Sequence, residues 1–141
     1  MADPQRVLGG TKLFPPDILP EMLQASKAAD APEVWLTADD DGQAVAFCYA
    51  APEQLTEGTW NMRAIAVLPE HQGQSIGAKL TQALENRLRD DGHRILIADT
   101  SGTEDFAQIR EFYRKRGYTE ESRIRDFWSA GDDKVTFRKA L

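Results

Sequence analysis

Residues 59–80, TWNMRAIAVLPEHQGQSIGAKL, carry a strand, a stop and the start of a helix in immediate succession. The hydrophobic run from Ala64 to Leu68 ends at Pro69. Gly73 and Gly77 follow, and an amphipathic segment begins at once. A strand that feeds straight into a helix leaves the first amides of that helix without intrahelical partners. Those amides, together with the helix dipole, suit an anion such as a phosphate. Gly77 removes a side chain where a ligand would approach the backbone, and Gln72, Gly73, Gln74 and Ser75 can curl into a concave nest of amides. The residues alone leave two readings open: a phosphate or pyrophosphate cradle, or a tight turn in which glycine only relieves strain. The two familiar phosphate patterns do not fit. A P-loop counted from Gly73 meets Ala78 at its second glycine and Leu80 after Lys79, and no G-x-G-x-x-G is present.

Outward from this stretch the pattern alternates between helix and strand. Leu80, Leu84 and Leu88 recur at helical spacing, with Ala83 beside them, and Gly92 reads as the helix stop. Upstream, Pro16 to Asp30 reads as a helix with Ile18, Leu19, Met22 and Leu23 on one face. Val34 to Thr37 and Ala44 to Ala50 read as a hairpin turned by Asp41-Gly42. Downstream, Arg94 to Ala98 is a short apolar strand of the kind found in parallel pairs. A helix through Phe106, Ile109, Phe112 and Tyr113 ends at Gly117. Ser122 to Ser129 and Lys134 to Leu141 form a second hairpin joined by Ala130 to Asp133. No repeat, low-complexity tract or linker interrupts the chain, so residues 1–141 read as one domain.

Composition bounds the function. The chain has 141 residues, 41% of them hydrophobic and 28% charged, as expected of a soluble globular protein. Its net charge of −6 argues against a nucleic-acid backbone as ligand. It is mildly favourable for a cationic small molecule or basic peptide, although it also serves solubility alone. No apolar run is long enough to span a bilayer and no signal-peptide core is present, so a cytoplasmic protein with no membrane partner is expected. Cys48 is the single cysteine, and His71 and His93 stand apart, so neither a disulfide framework nor a metal site is expected. Within a strand, Cys48 reads as a small buried residue.

Two segments together resemble a known family. Gln72-Gly73-Gln74-Ser75-Ile76-Gly77 is similar to the acyl-CoA signature [RQ]-x-x-G-x-[GA] of the GNAT superfamily of N-acetyltransferases, and it follows Val67-Leu68-Pro69 and precedes a long helix as that family's signature does. Phe112-Tyr113-Arg114-Lys115-Arg116-Gly117-Tyr118 is similar to the family's F/L-Y-x-x-x-G-F/Y. With the order of elements from Val34 to Leu141, the resemblance spans roughly three quarters of the chain. It implies an α/β (α+β) fold: a mixed, mostly antiparallel sheet with a central parallel splay and helices on both faces. There are departures. Ser75 stands where the family usually has glycine, Phe106 replaces a frequent asparagine, and Asn61 matches the position of a frequent glutamate base. The region before residue 34 is short for the family's opening elements.

The resemblance further implies acetyl-CoA as acyl-donor cosubstrate, with no metal. Backbone groups of Ile65, Ala66 and Val67 would pair with the pantetheine arm, and Gln72, Gly73, Gln74, Ser75, Ile76, Gly77 and Ala78 would meet the pyrophosphate. The Val67 N–H is the implied oxyanion donor. Tyr113 is the implied proton donor to the departing thiolate, because an ordinary phenol of pKa about 10 lies only modestly above a thiol of about 8.5. An amide such as Asn61 takes no proton, so a water chain or a carboxylate such as Glu57 or Asp99 would have to serve as base. The acceptor would be a primary amine of a small molecule or peptide, and many relatives pair as homodimers. An acyl-CoA-binding sensor or subunit without catalysis, and a nucleotide-binding α/β protein, are the alternatives.

Overall fold

The computed structural model describes residues 33–73 and 75–141. The helix expected over Pro16 to Asp30 lies outside the described residues. Among the described residues the strands are β1 (Val34–Asp40), β2 (Gln43–Pro52), β3 (Thr59–Val67), β4 (Ile95–Ser101), β5 (Thr119–Ser129) and β6 (Asp132–Ala140). Helix α1 (Ile76–Asp90) links β3 to β4, and α2 (Ala107–Lys115) links β4 to β5. The strands form one sheet in the order β1-β2-β3-β4-β6-β5. Among the described strands only β3 and β4 run parallel. A parallel pair needs a long crossover, and α1 supplies it. The sheet is therefore mixed and mostly antiparallel with a parallel pair at its centre, as expected.

Local chemistry explains the joints. Asp41 and Gly42 both take positive φ, 50° and 80°, which matches the twist of a two-residue hairpin. The core follows from the two side-chain periods. Alternation sends Ala46, Cys48 and Ala50 of β2, Trp60 and Met62 of β3, Leu96 and Ala98 of β4, and Val135 and Phe137 of β6 to one face. There they meet Leu80, Leu84 and Leu88 of α1 and Tyr113 of α2 in one buried cluster. Leu84 and Leu88 are wholly buried, and truncating either to alanine would cost about 2–5 kcal/mol. The β4 strand runs on through Asp99, Thr100 and Ser101, beyond the apolar run, because β6 pairs with it as far as Ser101↔Lys134.

The feature that positions the site is where β3 and β4 part. They pair only at Thr59↔Ile95, Trp60↔Leu96 and Asn61↔Ile97. In β3 the register with β2 slips between Ala50↔Met62 and Tyr49↔Ala64, which leaves Arg63 as an extra residue. Such a bulge bends the strand that carries it, so β3 turns away from β4 just where their pairing stops.

Candidate active site

From Met62 to Val67 one edge of β3 has no ladder partner on β4. The Leu68 N–H donates to the Val45 carbonyl at 2.8 Å. Backbone groups alternate direction along a strand. Ala66, which pairs with Phe47, therefore turns its own N–H and C=O toward β2, and Ile65 and Val67 turn theirs toward the open splay. The Val67 carbonyl there accepts a hydrogen bond from Gln72 Nε2 at 3.0 Å.

Past Leu68 the chain makes a short 3-10 turn at Pro69–His71. Gly73 then sits at φ 84°, where glycine is the natural residue. Ser75, the N-cap of α1, is left-handed too, at φ 63° and ψ 18°, and makes no side-chain cap. A side chain in that region costs about 1–2 kcal/mol. The first bond of the helix runs from Lys79 N–H to the Ser75 carbonyl at 3.0 Å. Among the described residues, the amides of Ile76, Gly77 and Ala78 therefore have no hydrogen-bond partner.

These amides open onto a cavity of about 650 Å³. One wall is Ile65, Ala66 and Val67; the floor is His71, Gln72, Gly73, Ser75, Ile76, Gly77 and Ala78. The opposite wall comes from Gln108, Ile109 and Phe112 of α2 and from Arg116 just past its end. A Cβ placed on Gly77 would lie 3.5 Å from Phe112 Cε1 and 3.8 Å from Val67 Cγ2, in ordinary contact. The protein's own packing thus leaves room for alanine at 77, and what a methyl would fill is the cavity. Arg116 holds its guanidinium 5.3 Å from the centre of the Phe112 ring. Among the described residues no carboxylate pairs with it. Amides without partners among the described residues on one side and the Arg116 guanidinium on the other offer donors to a cavity that the carboxylate of Asp105 also lines. An elongated, phosphorylated ligand fits that lining.

Tyr113 stands apart from the cavity wall. It is buried in the core, edge-on to Phe112 and Tyr118 and tilted against Phe137. Burial, reinforced by Cys48 and Asp99, pushes its phenol well above the ordinary tyrosine range. Among the described residues its hydroxyl has no hydrogen-bond partner. The proton is firmly held, and giving it up is harder than for an exposed phenol. Cys48 is buried, and burial pushes its thiol up to about 12 against a hydrogen bond from the Leu36 backbone. It stays a protonated core residue, as its place in a strand suggests. Of the two carboxylates considered as bases, Glu57 is exposed in the β2–β3 loop. Asp99 lies on β4 at the splay, where Asn61 Nδ2 donates to it at 3.3 Å.

Sequence reading missed Arg116 and placed Ile109 and Phe112 on an undivided apolar side of α2. The available signal was the spacing: Ile109, Phe112 and Arg116 lie three and four residues apart, on a stripe one step from Tyr113. Among the described residues no helix is long and apolar enough to cross a membrane. Nor does any group of three or more His, Cys, Asp or Glu residues stand where it could hold a metal ion.

Comparison with known proteins agrees with this geometry. Residues 31–120 match the family profile described as acetyltransferase (GNAT) domain. A protein from Desulfovibrio desulfuricans assigned to the GNAT family of acetyltransferases is 30% identical, with TM-score 0.89 over 97% of this chain and 89% of that one. A GNAT family acetyltransferase from Elizabethkingia anophelis with acetyl-CoA bound shares the fold at TM-score 0.79 and 14% identity, over 100% of this chain and 92% of that one. So does an aminoglycoside 6'-N-acetyltransferase complexed with coenzyme A, at TM-score 0.75 and 16% identity, over 97% of this chain and 88% of that one. No curated protein matches in sequence. By the family profile and by the splayed sheet that opens onto an amide-lined turn, this chain belongs to the GNAT family of acetyltransferases.

Proposed function

We propose that this protein moves an acetyl group from acetyl-CoA to a primary amine of a small molecule or peptide by direct attack. The observation that carries this is the row of amides at Ile76, Gly77 and Ala78, without partners among the described residues, facing a cavity beside the edge of β3 that β4 leaves. Gly77 strengthens it, because its missing side chain leaves space that the protein itself does not use. In solved structures of like fold, coenzyme A or acetyl-CoA is bound.

In this reading the amides from Gly73 to Ala78, with Arg116 opposite, hold the diphosphate, and Gln72 steadies the Val67 carbonyl at the strand edge. The outward N–H and C=O groups of Ile65 and Val67 pair with the amide-rich arm as a further strand would. The Val67 N–H faces the splay and stabilises the oxygen on which charge develops during attack. Tyr113 returns a proton to the leaving sulfur through the apex of the splay. Its raised pKa keeps the phenol protonated at neutral and mildly alkaline pH, and makes the transfer to sulfur steeper than it would be from the ordinary phenol expected from the sequence.

Calorimetry with coenzyme A and a thiol-release assay with a panel of primary amines test the proposal. Binding below millimolar concentration with amine-dependent thiol release supports it. Binding with no release from any amine would instead favour a non-catalytic acyl-CoA sensor, and no binding at all would end both.

A further inference from the structure

Asp99 sits on β4 just beyond Asn61↔Ile97, the last rung that β3 and β4 share. It follows Ala98, a core residue, so alternation sends its side chain to the face of the sheet away from the helices. Thr136 Oγ1 donates to its Oδ1 at 2.6 Å and Asn61 Nδ2 to its Oδ2 at 3.3 Å, which fixes the carboxylate. Its charge also helps to raise the Tyr113 phenol, which approaches from the helix-packed side. The other carboxylate on Asn61, Glu53 at 2.9 Å, already meets Arg63 at 3.8 Å.

Lys134 brings a primary amine of the chain itself to this carboxylate. It pairs with Ser101 across β4 and β6, and its side chain turns back so that Nζ lies 3.8 Å from Asp99 Oδ2 and 4.5 Å from the centre of the Phe127 ring. A contact of 3.8 Å is no hydrogen bond, so the amine is held loosely. The other described lysines stand elsewhere. Lys139 gives its Nζ to Glu85 Oε1 and to the Arg116 carbonyl, both at 2.8 Å, on the helix-packed face. Lys79 and Lys115 are exposed on α1 and α2. Among the described lysines, Lys134 alone has its amine beside a carboxylate at the splay, and its side chain is only 23% exposed.

We propose that Lys134 is a self-modification site, whose Nζ takes the acetyl group from acetyl-CoA bound to the same molecule when no external amine is supplied. The inference rests on the acetyltransferase reading. The lysine ammonium first gives one proton to Asp99 and through it to solvent. The neutral nitrogen attacks the thioester carbonyl carbon; the C–N bond forms and the C–S bond breaks. The sulfur gains the Tyr113 proton, and the second proton lost by the nitrogen replaces it. The products are acetyl-lysine, coenzyme A and one released proton. Tethering raises the effective concentration of this amine far above that of a lysine on another molecule. The resulting amide is neutral, so Asp99 loses the cation beside it and Phe127 its cation–π partner.

The test is peptide mapping by mass spectrometry of the whole chain incubated with saturating acetyl-CoA and no added amine, sampled over time at low and high protein concentration. Lys134 should gain an acetyl group about tenfold faster than Lys79 or Lys115, at a first-order rate that protein concentration does not change. Uncatalysed acetylation would favour the two exposed lysines instead. Tyr113→Phe should slow modification of Lys134 while Lys79 and Lys115 keep their background rate; should that variant not fold, the two concentration series of the wild type decide. A Lys134 rate no greater than those of Lys79 and Lys115, a rate that rises with protein concentration, or one that folded Tyr113→Phe leaves unchanged would overturn the inference. Calorimetry with coenzyme A and thiol release on adding the amine panel report the underlying reading independently. Binding and release with Lys134 unmodified remove this inference alone, and no binding removes the acetyltransferase reading and this inference with it.

Discussion

Two stretches of α1 treat their polar groups in opposite ways. In the middle of the helix, Glu85 is 1% exposed, yet each of its oxygens is satisfied. Oε1 accepts from Lys139 Nζ and Oε2 from the Tyr118 hydroxyl, both at 2.8 Å. The same lysine donates to the Arg116 carbonyl at 2.8 Å, so one buried carboxylate binds α1, the end of α2 and β6 together. Two turns earlier, the amides of Ile76, Gly77 and Ala78 have no partner among the described residues and a left-handed serine is tolerated as cap. Where the fold alone is served, the chain completes its hydrogen bonds. At the turn proposed to hold the ligand, it leaves donors waiting and carries the strain.

That contrast can be broken most forcefully at Glu85. Glu85→Ala removes the centre of the knot and leaves Lys139 and Tyr118 without their partner. A loss of about 3–5 kcal/mol in urea unfolding is expected, with coenzyme A affinity of the folded protein nearly unchanged. A loss below about 1 kcal/mol would make the knot incidental.

Tyr113 lies between the two regimes, buried like the knot and, like the turn, without a hydrogen-bond partner among the described residues. Tyr113→Phe should lower the rate of thiol release about a hundredfold, the lower end of what a positioned acid supplies. Unfolding stability should change little, since the hydroxyl has no partner to lose among the described residues. Because burial raises its pKa, the phenol keeps its proton through pH 10, so the wild-type rate should not turn down between pH 8 and 10 on its account. A downturn there that is absent from Tyr113→Phe would contradict the raised value.

Gly77 offers effects of opposite sign from one methyl group. Gly77→Ala should raise unfolding stability by about 0.5–1 kcal/mol through helix propensity, because the new Cβ meets only ordinary contacts. Coenzyme A should bind about tenfold more weakly as the methyl enters the cavity, measured by calorimetry. Unchanged binding would mean that the glycine serves the turn alone. The smallest effect is expected at Ser75: Ser75→Gly should relieve the left-handed backbone and stabilise the fold by about 0.5–1 kcal/mol in thermal unfolding, with binding preserved.

Much of this was legible before any coordinates. Asp41-Gly42 announced its hairpin, the leucines of α1 announced their stripe, and Gly117 announced the end of α2, because each is a local matter of period or backbone angle. Two short motifs in the right order then pointed to the family. Arg116 was not legible as a lining residue, nor was the division of α2 into Phe112 toward the cavity and Tyr113 toward the core. Adjacent residues on a helix point about a hundred degrees apart, and only the neighbouring strands decide which direction is interior. Asn61 looked like a vacancy in a catalytic pattern; Asp99 was legible only as one candidate base, and nothing in the sequence names Glu53 as a partner of Asn61.

The sequence by itself therefore determined the elements from Val34 onward, their order and the glycine-bearing turn, since these depend on interactions between residues a few positions apart. Tertiary structure decided where β3 parts from β4, which amides face empty space, and which carboxylates gather around Asn61. Those outcomes depend on register across the sheet, where Asn61 and Asp99 are brought to 3.3 Å although 38 positions separate them in the chain.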